Sequence, residues 1–167
     1  LQGVMGKHFA SPQGFEEDVA NSVSDHYLPI GLSSKIPKRP ISYSISIVDR
    51  IDSLCGFFLI NEKPTSSKDP FALRRAAIGL LKILIENNLE IKLRDLISYA
   101  IRLFEEQDVK IENSNAEKEI LDFLKERMKN ILKDKNIKYD IIEASISSHV
   151  GDNYLDLFKK NILMNKY

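Results

Sequence analysis

The residues most able to do chemistry are few. Asp49 and Asp52 lie one helical turn apart, with His8 and His26 upstream, a set of donors of the types that bind divalent metals. Asp52 falls where an apolar residue is expected, in the spacing Ile41, Ile45, Val48, Cys55, Leu59. A carboxylate on a packed face is costly unless it is paired. Arg74 is the matching oddity in the next long helix, where it projects between Leu81 and Ile85. The pattern therefore predicts a bidentate Asp52–Arg74 bridge between two packed helices, a structural ion pair. The single cysteine, Cys55, sits in the same apolar spacing and reads as a small buried hydrophobe rather than a nucleophile.

A metal-dependent phosphohydrolase of the helical HD kind needs a His, an adjacent His–Asp pair and a later Asp. The chain carries Asp25–His26, the reverse order, and no His–Asp dipeptide. His8, His26, Asp49 and Asp52 thus remain weak metal candidates. Their plain readings are a surface histidine beside Lys7 and a helix-end histidine beside Tyr27. No Gly-rich phosphate loop and no G-x-S-x-G elbow is present.

Charge gives a second lead. The formal net charge is +0, with 24 Lys+Arg against 24 Asp+Glu. Residues 61–85, however, hold Lys63, Lys68, Arg74, Arg75 and Lys82 against Glu62 and Asp69 alone. Such a local excess can meet phosphate without the whole chain being basic, although scattered surface lysines give the same count.

The elements that must position these residues read as helices throughout. Residues 15–28 carry Phe15, Val19, Val23 and Tyr27 every fourth position, and Pro40 opens a helix to about residue 60. That second helix has two adjacent apolar stripes, the one above and Ile47, Ile51, Leu54, Phe58, so it should be buried on most of its circumference. Asp69–Pro70 marks the start of a helix to about residue 87, with Gly79 as a point of close approach. Further helices are expected over 93–107, 115–134, 138–148 and 152–164, with Gly151 between the last two. Residues 11–14, 29–40 and 61–68 are breaker-rich loops.

Composition agrees: 167 residues, 43% hydrophobic and 29% charged, give one ordinary domain or two small ones of an all-α, soluble, cytoplasmic type. One cysteine excludes a disulfide framework, and no apolar run is long enough for a membrane span. The first residue is Leu1, not Met, which suggests a piece of something longer.

The segments LQGVMGKHFA (1–10), HYLP (26–29), VDRIDSLCGFF (48–58) and KPTSSKDPFALRRAAIGLLKIL (63–84) resemble the beta subunit of bacterial heterotetrameric glycyl-tRNA synthetase. The likeness is dense to about residue 88 and weaker but colinear beyond. It implies an interior-to-C-terminal fragment of that subunit. Residues 1–88 would be part of a degenerate HD-like helical domain. Residues 89–167 would lead into or begin the helical anticodon-binding domain.

The resemblance further implies tRNA(Gly) and an alpha subunit as partners in an alpha2beta2 heterotetramer, with no membrane. ATP and Mg would act at the alpha subunit, and this segment would hold no cofactor and no catalytic residue. Lys63, Lys68 and Arg75 are then the candidate tRNA contacts. Two readings of other classes stand beside this one: an active HD-type metal-dependent phosphohydrolase, and a purely structural subunit-docking scaffold. The chain departs from the family at Asn61 and Ser66, where glycine is common, and at position 8, where the family also accepts Tyr.

Overall fold

A computed structural model describes residues 3–31, 34–107, 109–148 and 152–166. Among them there is no strand, and eight α-helices follow in order: α1 (Val4–Ala10), α2 (Glu17–Asp25), α3 (Pro40–Leu59), α4 (Leu73–Glu86), α5 (Leu93–Glu106), α6 (Ala116–Asp134), α7 (Tyr139–Ser148) and α8 (Tyr154–Met164). The all-α reading holds. Gly151, expected between the last two helices, lies outside the described residues. No helix among those described is long and apolar enough to cross a membrane.

Helices α3, α4, α5, α6 and α8 share one core, in which Leu54, Leu80, Leu84, Ile97, Leu124 and Tyr154 are fully buried. The core is continuous across position 88: α3 and α4 pack directly on α6, and α4 on α8. Two polar contacts enter this interior as matched pairs, whereas the Nε atoms of Arg50 and Arg127 are enclosed with no hydrogen-bond partner among the described residues. The Tyr154 hydroxyl donates to the Leu121 carbonyl at 3.0 Å, and Ser145 Oγ donates to Asn161 Oδ1 at 2.9 Å between α7 and α8.

The front of the chain departs from its apolar pattern. Helix α1 was not foreseen, because its seven residues bury none of their side chains and so carry no stripe to recognise. Helix α2 is shorter than 15–28, and Phe15, Val19 and Tyr27 are exposed. It buries Ala20, Asn21 and Ser22 instead. In α3 the stripe Ile47, Ile51, Leu54, Phe58 faces the core as expected, but Ile41, Ile45 and Val48 face out and Ser42, Ser46 and Arg50 face in.

One cause explains both reversals. The first half of α3 packs on α2 and on the segment 26–29, which presents carbonyl groups, so hydroxyls and a guanidinium satisfy that seam where hydrocarbon could not. Ser42 Oγ donates to Asp25 Oδ2 at 3.2 Å, and Ser46 Oγ to the His26 carbonyl at 2.8 Å.

Helix α4 starts at Leu73, four residues after Asp69 rather than on it. The Asp69 carboxylate still does the capping: it accepts from the Leu73 N–H at 2.8 Å and from the Arg74 N–H at 3.0 Å. The intervening turn needs Ala72 in the left-handed region, at φ 57°.

Candidate functional site

The Asp52–Arg74 bridge is not formed. Asp52 is exposed: it lies where the stripe that was to bury it passes from the exposed Ile41, Ile45 and Val48 to the buried Cys55 and Leu59. Arg74 instead bonds to the Thr65 carbonyl and lies 4.0 Å from the Asp69 carboxylate. These contacts fold the 61–68 loop back onto α4. A Thr65–Lys68 turn completes it, with the Thr65 N–H donating to the Lys68 carbonyl at 2.9 Å.

Of the three expected tRNA contacts, Lys63 is already engaged. Its ammonium meets both oxygens of Glu119, at 3.0 and 2.9 Å, tying the loop to α6. This bond, joined by one from Asn113, holds the Glu119 carboxyl below its usual range. Lys68 and Arg75 are exposed, and among the described residues neither side chain meets an acidic partner.

The buried ionic residue of the fold is Arg50, 7% exposed, which the sequence reading did not single out. Its Nη1 donates to the His26 carbonyl and to the Ser46 carbonyl, each at 3.0 Å, and also bonds to Ser46 Oγ. Its Nη2 donates to the Leu28 carbonyl at 2.8 Å and to the Tyr27 carbonyl at 3.3 Å. Burial pulls this guanidinium below its ordinary range, and Asp49 acts in the opposite direction; it remains a cation.

The signal for this role was present as Ser42, Ser46, Arg50, a polar line at four-residue spacing beside the apolar stripe. Gly79 makes the room: a Cβ there would lie 2.7 Å from Arg50 Nε and 3.4 Å from Pro29 Cγ, so the expected close approach is met.

Over this clamp, α3, α4 and the loop at 29–31 enclose a groove. Its wider part, about 530 Å³, is lined by Tyr27, Ile30, Asp49, Ser53, Phe71 and Arg75 among others. A narrower part of about 260 Å³ continues past Arg74, Ile78, Gly79 and Lys82. Pro29, Ile30 and Arg75 belong to both parts.

The four metal candidates do not converge. Asp49 lines the groove and Asp52 faces solvent on another side of α3. His26 Nδ1 is 3.1 Å from the Ser22 carbonyl with its ring against Tyr27, and His8 is exposed beside Phe9. No group of three His, Cys, Asp or Glu among the described residues is placed to hold a metal.

Comparison with known proteins now bears on what this surface is for. A family model described as glycyl-tRNA synthetase beta subunit matches residues 1–147. The chain is 37% identical over 160 residues to the glycine–tRNA ligase beta subunit of Ruegeria sp., covering 96% of this chain and 22% of that protein. It is 38% identical over 152 residues to the subunit of the same name from Clostridioides difficile, covering 91% and 22%. With that from Glaesserella parasuis it shares 39% over 146 residues, covering 87% and 21%. The chain thus spans about a fifth of the length of these relatives. A match running through α1 to α7, including the capped 61–69 loop and the Arg50 helix, means that the chain belongs to the glycyl-tRNA synthetase beta subunit family.

Proposed function

We propose that this chain is a segment of the beta subunit of a glycine–tRNA ligase and helps to hold tRNA(Gly). Glycine activation with ATP and Mg would take place at the alpha subunit of an alpha2beta2 enzyme in the cytoplasm. On this reading residues 1–88 are a degenerate HD-like unit and 89–167 the approach to the anticodon-binding domain. The division is one of sequence segments, since the hydrophobic core is shared across it.

Family membership over residues 1–147 carries the proposal. Lys68 and Arg75, exposed and with no acidic partner among the described residues, support it by their Coulomb attraction to a phosphate backbone. Lys63 is a lesser contact because Glu119 already neutralises it. In the intact enzyme, Lys68→Glu with Arg75→Glu should weaken tRNA binding and flatten its salt dependence by roughly one to two units of log–log slope. Unchanged affinity and slope would refute the assignment.

A second reading, a scaffold that docks other parts of the assembly, is favoured by the exposed Val4, Met5, Phe9 and Phe15 of the α1–α2 region. In that case the same charge reversals would disturb assembly and leave tRNA affinity intact.

A further inference from the structure

The groove above Arg50 combines three properties. The first is flat apolar surface held in advance. Phe71 is 43% exposed although one face is stacked on Phe57, with centroids 3.9 Å apart and planes 18° apart. Tyr27 is 40% exposed with its ring centroid 4.1 Å from that of His26. Ile30, 65% exposed, shares the lining with them and with Arg75. Rings already braced from behind lose little freedom when a ligand stacks on them.

The second property is the sign of the charge. Arg75 stands where the two parts of the groove meet, and the narrow part has Lys82 and the Asp69-paired Arg74 in its lining and, among the described residues, no carboxylate. In the wide part Asp49 is the one carboxylate of the lining. The third is a fixed wall. Arg50 binds the carbonyls of residues 26–28 from beneath, so the loop that carries Tyr27 and Ile30 is anchored from below.

We propose that this groove takes an unpaired nucleotide of the bound RNA. The base enters the wide part against Phe71 and Tyr27, its phosphate meets Arg75, and the strand continues toward the narrow part. Asp49 is suited to accept from a base amino group or a ribose hydroxyl. Stacking on side chains requires a base that is not stacked within a helix, so a single strand fits and a duplex does not. This deepens the tRNA reading and rests on it. The exposed rings of the wide part distinguish the site from a general anion patch, which needs none.

The test uses the intact enzyme and three probes: a short single-stranded RNA, a blunt RNA duplex of the same composition, and polyglutamate. Phe71→Leu and Ile30→Asp are each expected to lower single-strand affinity roughly tenfold and to leave duplex affinity unchanged. Ile30 is largely exposed, so Ile30→Asp keeps the test valid even if loss of the Phe57 stack unfolds Phe71→Leu. The proposal is overturned if Ile30→Asp spares the single strand, if both RNAs weaken alike, or if polyglutamate competes as well as single-stranded RNA. Should Lys68→Glu with Arg75→Glu weaken tRNA while Ile30→Asp does nothing, the groove assignment fails and the tRNA reading stands. Should the charge reversals also do nothing, both fail.

Discussion

A guanidinium buried in a seam of carbonyl groups is a commitment that hydrophobic substitution cannot meet. Arg50→Met would keep most of the volume but remove the charged donors to the His26, Leu28 and Ser46 carbonyls, leaving the single Ser46 hydroxyl to be shared between the first two. A loss of about 3 kcal/mol is expected, read as a lowered urea midpoint, since bonds from a charged donor are worth about 1.5–3 kcal/mol and unpaired buried acceptors add to the cost. Arg50→Lys should recover only part of this, because one ammonium cannot reproduce the fork that spans both sides of the seam. The misreading of Asp52 is the same physics seen from the other side. Apolar spacing alone ranks Ile41, Ile45 and Val48 as buried, but it does not know that their helix meets peptide carbonyls rather than hydrocarbon there. Serine at positions 42 and 46 was the better guide to which face of α3 turned inward.

At the scale of elements, helix α6 and the 61–68 loop are joined by Lys63 and Glu119. The Glu119 carboxyl titrates below its ordinary value of 4.5, so its contribution is complete above that pH and is lost as pH falls through the lower folded value. Glu119→Gln should therefore cost roughly 0.5–1 kcal/mol at pH 7, a figure kept small by the pair's exposure, and should converge with the parent in strongly acidic solution. Urea unfolding across pH 3 to 7 (a range of roughly four units) reads both limbs. Helices α4 to α8 were legible because their neighbours are apolar, which is the condition under which periodicity reports burial. The loop was legible only in part. Asp69 announced a cap, yet nothing local shows that the turn would run on through Ala72 before α4 begins. Asn61 takes up the left-handed conformation, at φ 59°.

For the whole molecule, the neutral total conceals an ordered arrangement. Of the cations in 61–85, Lys63 and Arg74 serve the fold through Glu119 and Asp69, while Lys68 and Arg75 are exposed and meet no acidic partner among the described residues. No count of charges could make that division, since it depends on where α6 places Glu119. The tRNA candidates were thus found by family likeness and narrowed by geometry, and the groove that collects Tyr27 with Phe71 and Arg75 joins residues far apart in sequence.

Cys55 has a consequence of another kind. It is the only thiol, wholly enclosed, with Sγ 4.0 Å from the Ile97 carbonyl, and burial followed by the charge of Asp52 pushes it up to about 12. Disulfide reagents attack thiolate, which at pH 8 is then on the order of one molecule in ten thousand. Modification must wait for α3 and α5 to part, so its rate is a clock for opening. The clock should run faster in Arg50→Met by the factor that variant loses in stability, and slower when tRNA is added to the intact enzyme. A rate indifferent to both would show that the thiol is reached without opening. Cys55 thus reports the opening of this core without catalytic turnover, read in the intact enzyme on the peptide that carries it.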